Sequence, residues 1–315
     1  MAQLPPRPFV PPLLAFAWGI LAISSGSILA RQALQFASPP VVSAYRLGIA
    51  ALILAPVALG SARHELSSLQ RKDWILAALS GIFLALHFVT WISSLRFTTV
   101  ASSVILVSTA PLWVALLAPL LLRENVRGCT LAGMVLALAG STFVGIGESC
   151  NWVQGRLSCP PWKGFFGAQA LWGDLLALLG GVMAALYLLA GRFLRSRLSL
   201  LSYIFVVYGI AALVLLIWVG MARLSLVSYP VRAFGWFVAL ALIPQLLGHS
   251  TFNWALRHVP AALVSVALLG EPIGSTVLAY LFLDEVPRNL ELLGGGLILI
   301  GLMVASLRRQ DNPNG

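Results

Sequence analysis

Charged side chains are scarce in this chain: Asp, Glu, Lys and Arg make up only 10% of its 315 residues. A soluble domain carries roughly 25% charged residues, so the shortage excludes an ordinary soluble protein. Hydrophobic residues make up 59% and the mean hydropathy is +0.93, which indicates an integral membrane protein. Most basic residues fall between apolar segments, where they set membrane topology. The net charge of +10 therefore does not indicate a nucleic-acid partner.

Several signatures of catalytic and cofactor-binding proteins are also missing. The chain has no G-x-x-x-x-G-K-[ST] phosphate loop, no H-E-x-x-H zinc motif and no G-x-S-x-G nucleophile elbow. We therefore expect a protein that is not an enzyme and that needs neither a metal nor a cofactor.

Cysteine is rare as well, with three residues in the chain. Two of them, Cys150 and Cys159, fall in the longest loop, 148–172. The topology below places this loop outside the cytoplasm, where disulfides persist. A bridge between the two cysteines and a pair of free thiols both stay open at this point.

Long apolar runs are what the chain has in quantity. Ten of them are each long enough to cross about 30 Å of hydrocarbon as a helix. They predict an all-α integral membrane protein with ten transmembrane helices. The segments lie near 13–30, 41–59, 74–94, 100–121, 129–147, 173–191, 200–221, 235–255, 261–283 and 290–306.

The basic residues orient these segments. Placing both tails, 1–12 and 308–315, in the cytoplasm gives twelve Lys or Arg inside and seven outside. Because cytoplasmic loops carry the excess of basic residues, this count predicts cytoplasmic termini and an extracytoplasmic loop 148–172. We expect a multi-pass protein embedded in the lipid bilayer of the cell membrane, such as a prokaryotic inner membrane.

The sequence aligns with itself at a shift of 161 residues. Between 101 and 140 this shift gives thirteen identities in forty positions without a gap, and it superposes Pro111 on Pro272 and Glu124 on Glu285. Self-similarity at a fixed period indicates an internal repeat. Each half then holds five helices, and because five is odd, the second half enters the membrane upside down. Inverted repeats typically place a binding site near the membrane midplane, between the halves.

The two halves resemble the drug/metabolite transporter superfamily, in particular its EamA-type ten-helix members. The resemblance is carried by "ASSVILVSTAPLWVALLAPLLLRE" at 101–124, by "ALVSVALLGEPIGSTVLAYLFLDE" at 262–285 and by "AYRLGIAALIL" at 44–54. It implies two five-helix EamA-like repeats, at 13–147 and 173–307, joined by loop 148–172. It also implies a secondary carrier that moves a small organic metabolite or drug, often outward, without hydrolysing ATP.

We therefore expect a metabolite exporter that works by alternating access, with a small-molecule substrate and with protons as a candidate coupling ion. A passive facilitator or channel and a membrane-embedded enzyme are the alternatives. Neither rings of like charge nor a nucleophile–base pair is evident for them. The sequence leaves open whether the protein is a monomer or a homodimer.

Glu271 and Pro272 interrupt the ninth segment near its middle, where a carboxylate and a helix breaker are both costly in lipid. They are tolerable if this segment faces a polar cavity between the repeats. Pro111 and Pro272 each free a carbonyl one turn earlier and are predicted to kink their helices beside that cavity. Glu271 is then a candidate for substrate binding or proton coupling, or else a buried structural partner of Arg46 in the second helix.

The eighth segment carries a polar stripe, because Gln245, His249 and Asn253 recur at every fourth residue. His87 and Trp91 mark a similar face on the third segment. Such faces line a cavity or bond another helix rather than meet lipid.

Three aromatic residues lie deep inside their segments, away from the interfacial belt where Trp and Tyr usually sit. They are Trp91, Trp113 and Tyr187. They are candidates for stacking on a flat or apolar substrate, with ordinary core packing as the alternative.

Overall fold

The computed structural model describes residues 12–122, 169–255 and 270–306, and between these ranges residues 128–129, 132–133, 135–136, 139–140, 143, 151–153, 156–158, 257–258, 264 and 267–268. This part of the chain is a bundle of helices, as the apolar runs predict. Within the described residues, six helices are long and apolar enough to cross a membrane, at Leu14–Ala33, Pro39–Ser61, Arg71–Ser94, Gln169–Arg195, Leu200–Met221 and Val231–Ala255. Shorter apolar helical stretches lie at Val100–Val114, which is interrupted at Ser108 and Thr109, and at Asn289–Gly301.

The elements follow one another in the order that the hydropathy predicts. The first half contains α1 (Pro12–Ala33), α2 (Pro39–Ser61), α3 (Arg63–Ser67), α4 (Arg71–Ser94), α5 (Val100–Val107) and α6 (Ala110–Leu122). The second half contains α7 (Gln169–Arg195), α8 (Leu200–Met221), α9 (Val231–Leu240), a π-helix (Ala241–His249), α10 (Ser250–Ala255), α11 (Gly270–Leu283) and α12 (Asn289–Ser306). Between the halves, β1 (Asn151–Val153) and β2 (Arg156–Ser158) pair antiparallel, a small exception to the all-α prediction.

Several helices begin where local chemistry favours a start. The first two residues of α2 are Pro39 and Pro40, which suit a first turn because backbone N–H groups there have no partner inside the helix. The side chains of Thr99 and Ser199 cap α5 and α8, each accepting a hydrogen bond from the backbone N–H three residues later.

The fourth predicted segment is broken at Ser108 and Thr109, between α5 and α6. Pro111 gives the physical reason, because it lacks an N–H and its ring crowds the carbonyl of Val107, four residues earlier. That carbonyl lies against α7, where a Cβ added to Gly181 would be only 2.9 Å from the Val107 oxygen. The break therefore brings irregular backbone into the interior of the bundle.

The helices of one half pack mainly against those of the other. The helix α7 packs along α4, and α8 packs against both α2 and α4. The helix α1 packs against the Val231–Ala255 span and against α11. When the two halves are aligned, the packing of α7 on α4 corresponds to the packing of α1 on the Val231–Ala255 span. The packing of α7 on α5 and α6 likewise corresponds to the packing of α1 on α11. The contacts between halves thus occur in matched sets.

Close packing at one glycine leads to a first testable prediction. A Cβ on Gly140 would lie 2.5 Å from the carbonyl oxygen of Gly294 in α12 and 2.8 Å from the side chain of Ile298. We expect Gly140→Ala to destabilise the fold by about 1–3 kcal/mol, the usual cost of overpacking. Gly48→Ala is the matched control, because a Cβ on Gly48 in α2 meets nothing within 4 Å.

Alanine favours a helix over glycine by about 1 kcal/mol, so Gly48→Ala should leave the melting temperature unchanged or raise it. Thermal unfolding of the two purified variants in the same detergent measures the difference. Equal shifts for both variants would contradict the close approach at Gly140.

Candidate functional site

A cavity lies inside the bundle, bounded by α4, the break between α5 and α6, α7, the Val231–Ala255 span and the start of α11. Its walls are mostly apolar. The polar and aromatic side chains that line it are His87, Trp91, Ser108, Tyr187, His249, Phe252, Asn253 and Glu271. Seven of the residues singled out in the sequence meet here, namely six of these eight together with Pro111.

The cavity draws on equivalent positions of the two halves. At the shift of 161 residues, three pairs of lining residues superpose: Trp91 with Phe252, Val107 with Leu268, and Ala110 with Glu271. The cavity therefore lies where matching parts of the halves face each other. Its polar groups do not follow this symmetry, because the carboxylate of Glu271 corresponds to the methyl group of Ala110.

Glu271 is the one acidic side chain among the described residues that line the cavity. It lies in the first turn of α11 and is half-buried. Ion pairs such as Arg31–Glu285 and Arg197–Asp73 occur among the described residues, but within that part of the chain Glu271 forms none. Its electrostatic partner in this part of the chain is the guanidinium of Arg46, which does not reach it as a contact.

The rings of His87 and His249 lie next to each other in the cavity wall in an edge-to-face arrangement, with 6.4 Å between their centroids. The Nδ1 atom of His87 lies 2.9 Å from the carbonyl oxygen of Gly180. Because a carbonyl only accepts, Nδ1 carries the proton, and the neutral ring keeps Nε2 as an acceptor. The ring of His249 packs edge-on against Phe88 at 5.3 Å. Its nitrogens have no hydrogen-bond partner within the described part of the chain.

Asn253 is buried and belongs to a network of hydroxyl groups. The hydroxyl of Tyr187 lies 3.0 Å from its Oδ1 and 2.8 Å from its Nδ2, and the hydroxyl of Tyr208 lies 3.4 Å from Nδ2. The backbone carbonyl of Asn253 accepts from Nε of Arg195 at 3.1 Å. Asn253 and Tyr187 thus satisfy each other and are held rigidly at the cavity edge.

Arg46 lies behind the cavity wall, and the ion pair with Glu271 considered from the sequence is not formed. Its side chain is fully buried, and Nε donates to Oε1 of Gln245 at 2.7 Å. The guanidinium carbon lies 4.0 Å from the ring centroid of Phe88 and 5.7 Å from that of Trp91. These rings and one amide oxygen accommodate the charge, while Nη1 has no partner among the described residues.

The three residues of the predicted polar stripe divide between the two roles expected from the sequence. His249 and Asn253 line the cavity, whereas Gln245 is fully buried against Arg46. The reason is the π-helix at Ala241–His249, where each turn holds more residues than an α-turn. Four-residue spacing there no longer stacks side chains on one face. Pro244 lies inside this segment and removes one α-helical hydrogen bond.

Two other predicted residues lie away from the cavity lining. The indole N–H of Trp113 donates to the hydroxyl of Thr109 at 3.2 Å, so this ring packs beside the helix break. Pro272 is buried in the first turn of α11 and borders a separate apolar groove with Gly295 and Gly296 of α12. Cys150 and Cys159, for which the sequence leaves a bridge and free thiols open, lie outside the described residues.

At each end of the bundle a set of polar contacts, called a tie below, links the two halves. At one end Arg31 forms an ion pair with Glu285 at 2.5 Å, and Glu285 accepts from the backbone N–H of Val100 at 2.8 Å. At the other end Glu65 accepts from the backbone N–H of Ser199 at 2.5 Å and from both Ser199 and Ser202 hydroxyls at 2.6 Å.

The hydrogen bonds of the Glu65 tie affect the protonation of the Glu65 carboxyl group. Partial burial of the Glu65 carboxyl group works to raise its pKa, but the hydrogen bonds from Ser199 and Ser202 outweigh burial. The pKa of Glu65 is therefore lowered from its ordinary value of 4.5, and the ionised form caps α8.

The sequence reading missed three residues of this region. Phe252 could have been found by applying the 161-residue shift to Trp91. Tyr208 and Arg195 had no such signal, because their roles depend on contacts with Asn253. No group of three or more potential metal ligands occurs among the residues that the structure describes.

Comparison with known proteins gives a consistent result. The model of a family described as "EamA-like transporter family" matches residues 11–146 and 171–307. The uncharacterized transporter YyaM of Bacillus subtilis is 24% identical over 285 residues, 88% of each chain. The uncharacterized transporter YwfM of the same species is 26% identical over 297 residues, 93% of this chain and 91% of that protein.

Two further matches differ in kind. A probable terminal-alkyne amino-acid exporter of Streptantibioticus cattleyicolor is 24% identical over 213 residues, 65% of this chain and 63% of that protein. A solved crystal structure superposes with a TM-score of 0.63, covering 93% of this chain and 96% of that one. At 20% identity this second match concerns the fold alone.

Proposed function

The chain belongs to the EamA-like transporter family of the drug/metabolite transporter superfamily, and on this premise we propose that it is a secondary active exporter of a small organic metabolite. The cargo binds in the cavity between the two halves and is released to either side by alternating access. Protons that bind and leave Glu271 drive the export.

One observation carries this proposal: residues at equivalent positions of both halves line one interior cavity, which holds an ionisable side chain without an ion-pair partner in the described part of the chain. An unpaired carboxylate inside the membrane is costly, so its presence points to a functional role. The outward direction is supported by the printed name of one relative, the amino-acid exporter.

The proposed architecture is ten transmembrane helices in two inverted repeats, 13–147 and 173–307. The matched helix contacts between the halves support it. In this arrangement the Arg31–Glu285 tie and the Glu65–Ser199 tie close opposite ends of the cavity. Alternating access then requires each tie to open while the other holds.

Counterflow in proteoliposomes tests the carrier mechanism. Vesicles loaded with an unlabelled compound and diluted into a trace of its labelled form should accumulate label transiently, with radiolabelled amines, amino acids and nucleosides as the compounds screened. Only a carrier shows this trans-stimulation. A channel or facilitator would equilibrate the label without overshoot, and that result would contradict the proposal.

His249 provides a test of the cavity itself. We expect His249→Ala to lower counterflow about tenfold, the loss that follows from about 1.4 kcal/mol of binding. Expression and melting temperature should stay near those of the parent, because the ring has no hydrogen bond to lose within the described residues. His64→Ala is the matched control, since His64 is exposed on α3. Loss of folding in His249→Ala alone would assign this residue a structural role.

We also propose that both termini are cytoplasmic and that loop 148–172 is not, on the basis of the twelve-to-seven distribution of basic residues. In a variant without native cysteines, a single cysteine added at the C-terminus should resist an impermeant maleimide in intact cells and react after lysis. Labelling in intact cells would reverse the orientation.

A further inference from the structure

From the charges and contacts of the cavity, we infer that its cargo is a small organic cation, with an ammonium group attached to a flat apolar body. This inference rests on the proposed function, because it takes the cavity as the cargo site. It goes further in naming the chemistry of the cargo.

The sign of the charge follows from the lining. Among the described residues, the charged side chain that reaches the cavity surface is the carboxylate of Glu271, and neither Lys nor Arg belongs to this part of the lining. The nearest cation, Arg46, is fully buried behind the wall, with its guanidinium held by Gln245 and lying over Phe88. A cargo carboxylate or phosphate in the cavity would therefore meet no exposed cation, whereas a cargo ammonium meets Glu271.

The internal repeat does not place a carboxylate at the equivalent position of the first half. The equivalent of Glu271 there is Ala110, which lines the same cavity and also precedes a proline. A carboxylate in the membrane interior is costly, and Glu271 has no ion-pair partner among the described residues. These two observations point to a ligand for Glu271.

His87 also favours a hydrogen-bond donor in the cargo, whereas a neutral His249 ring and the hydroxyl of Ser108 each offer both a donor and an acceptor. His87 uses Nδ1–H on the Gly180 carbonyl, so its remaining ring nitrogen is an acceptor. Tyr187 and Asn253 are already satisfied by each other. An ammonium group supplies donors for the acceptors of Glu271 and His87.

The body of the cargo follows from the remaining lining. Trp91, Tyr187 and Phe252 contribute aromatic rings, and Leu84 and Leu188 add apolar surface. Aromatic faces attract cations and stack on flat apolar groups. A charged head without such a body would leave most of this surface unused.

Charge balance gives the cation a place in the transport cycle. The charged or titratable groups around Glu271 are Arg46, His87, His249 and Tyr187. With both histidines neutral and Glu271 protonated, the group carries one positive charge, that of Arg46. When the proton leaves and a cationic cargo binds, the group again carries one net positive charge. The cation therefore replaces the proton without adding charge to the membrane interior.

The test uses four probes that share an indole ring and differ in charge. They are tryptamine (cation), tryptophol (neutral), indole-3-acetate (anion) and tryptophan (zwitterion). Binding of each to the purified full-length protein in nanodiscs at neutral pH is measured by isothermal titration calorimetry. We expect tryptamine to bind about 10- to 100-fold more tightly than each of the others, the range that a charge-assisted hydrogen bond provides.

Two variants locate the effect. Glu271→Gln should weaken tryptamine binding by a similar factor, about 10- to 100-fold. Asp284→Asn is the matched control, because Asp284 is an exposed carboxylate thirteen residues further along the chain and should leave binding unchanged. Should Glu271→Gln fail to fold, Glu271→Asp, which keeps the charge, and the comparison of the four probes on the parent protein decide the question.

The remaining outcomes overturn either the cargo assignment or the transport proposal. Equal binding of tryptophol would show that charge has no role, and tighter binding of indole-3-acetate or tryptophan would show that a cargo carboxylate reaches Arg46. Binding of none of the four would exclude a flat aromatic cation. If tryptamine binds through Glu271 but shows no counterflow, the transport proposal fails and the binding site stands. If a different class of compound shows counterflow, transport stands and the cargo assignment fails.

Discussion

Glu271→Gln should abolish accumulation of cargo driven by a pH gradient while exchange at equal pH persists. Glutamine keeps the size and an acceptor oxygen of glutamate but cannot titrate. A group that meets water alternately from each side can bind and release a proton only if it titrates. In the variant the pH gradient therefore has no group at this position through which it can drive transport. Gradient-driven uptake should fall to the level of empty liposomes, a loss of about tenfold or more, as for removal of an essential proton-transfer group.

The measurement compares the two modes of transport in the same vesicles. Exchange is measured at a cargo concentration above the raised dissociation constant of the variant, so that weaker binding does not mask intact alternating access. Asp284→Asn serves again as the matched loss of a carboxylate outside the cavity and should retain both modes. If Glu271→Gln still concentrates cargo in response to the gradient, the coupling proton binds elsewhere.

Gln245→Leu is expected to have the largest effect on stability. It removes the acceptor of the Arg46 Nε hydrogen bond and leaves a fully buried guanidinium without a polar contact among the described residues. Loss of a hydrogen bond to a buried charged group costs about 1.5–3 kcal/mol of unfolding free energy. Gln35→Leu is the control, because Gln35 is exposed and bonds only Gln32 across the surface.

A double-mutant cycle identifies the cause. Replacing Arg46 by Met removes the charge that Gln245 stabilises, and buried polar pairs replaced together by apolar residues often regain stability. We expect Arg46→Met combined with Gln245→Leu to melt at a higher temperature than Gln245→Leu alone. Simple additivity of the two single variants would show that the pair is not coupled.

Most elements could be predicted from the sequence, because helix formation in lipid depends on local composition. The runs at 39–61 and 200–221 differ from the expected spans by at most two residues at either end. The 161-residue repeat predicted that matching segments of the halves would meet, and Trp91 and Phe252 do line one cavity. Proline chemistry likewise accounts for the interruption just before Pro111.

The partners of the polar side chains could not be predicted in the same way. A buried pair of Arg46 with Glu271 is one of the alternatives that the sequence leaves open, yet Arg46 bonds Gln245, 199 residues away. Residues 241–249 form a π-helix, which shifted Gln245 off the face of His249. The Arg46–Gln245 bond does not follow from local spacing, because it depends on how α2 packs against the Val231–Ala255 span.

By itself, the sequence determined the membrane class, the positions of most helices and the correspondence between the two halves. Apolar length and a repeated pattern are properties of the chain that no packing can change. Only the tertiary structure decided which polar groups share the cavity and which are satisfied behind its wall. The physical reason is that a buried polar group takes whatever partner the packed helices place within hydrogen-bond distance. That placement left Arg46 enclosed and Glu271 facing the cavity.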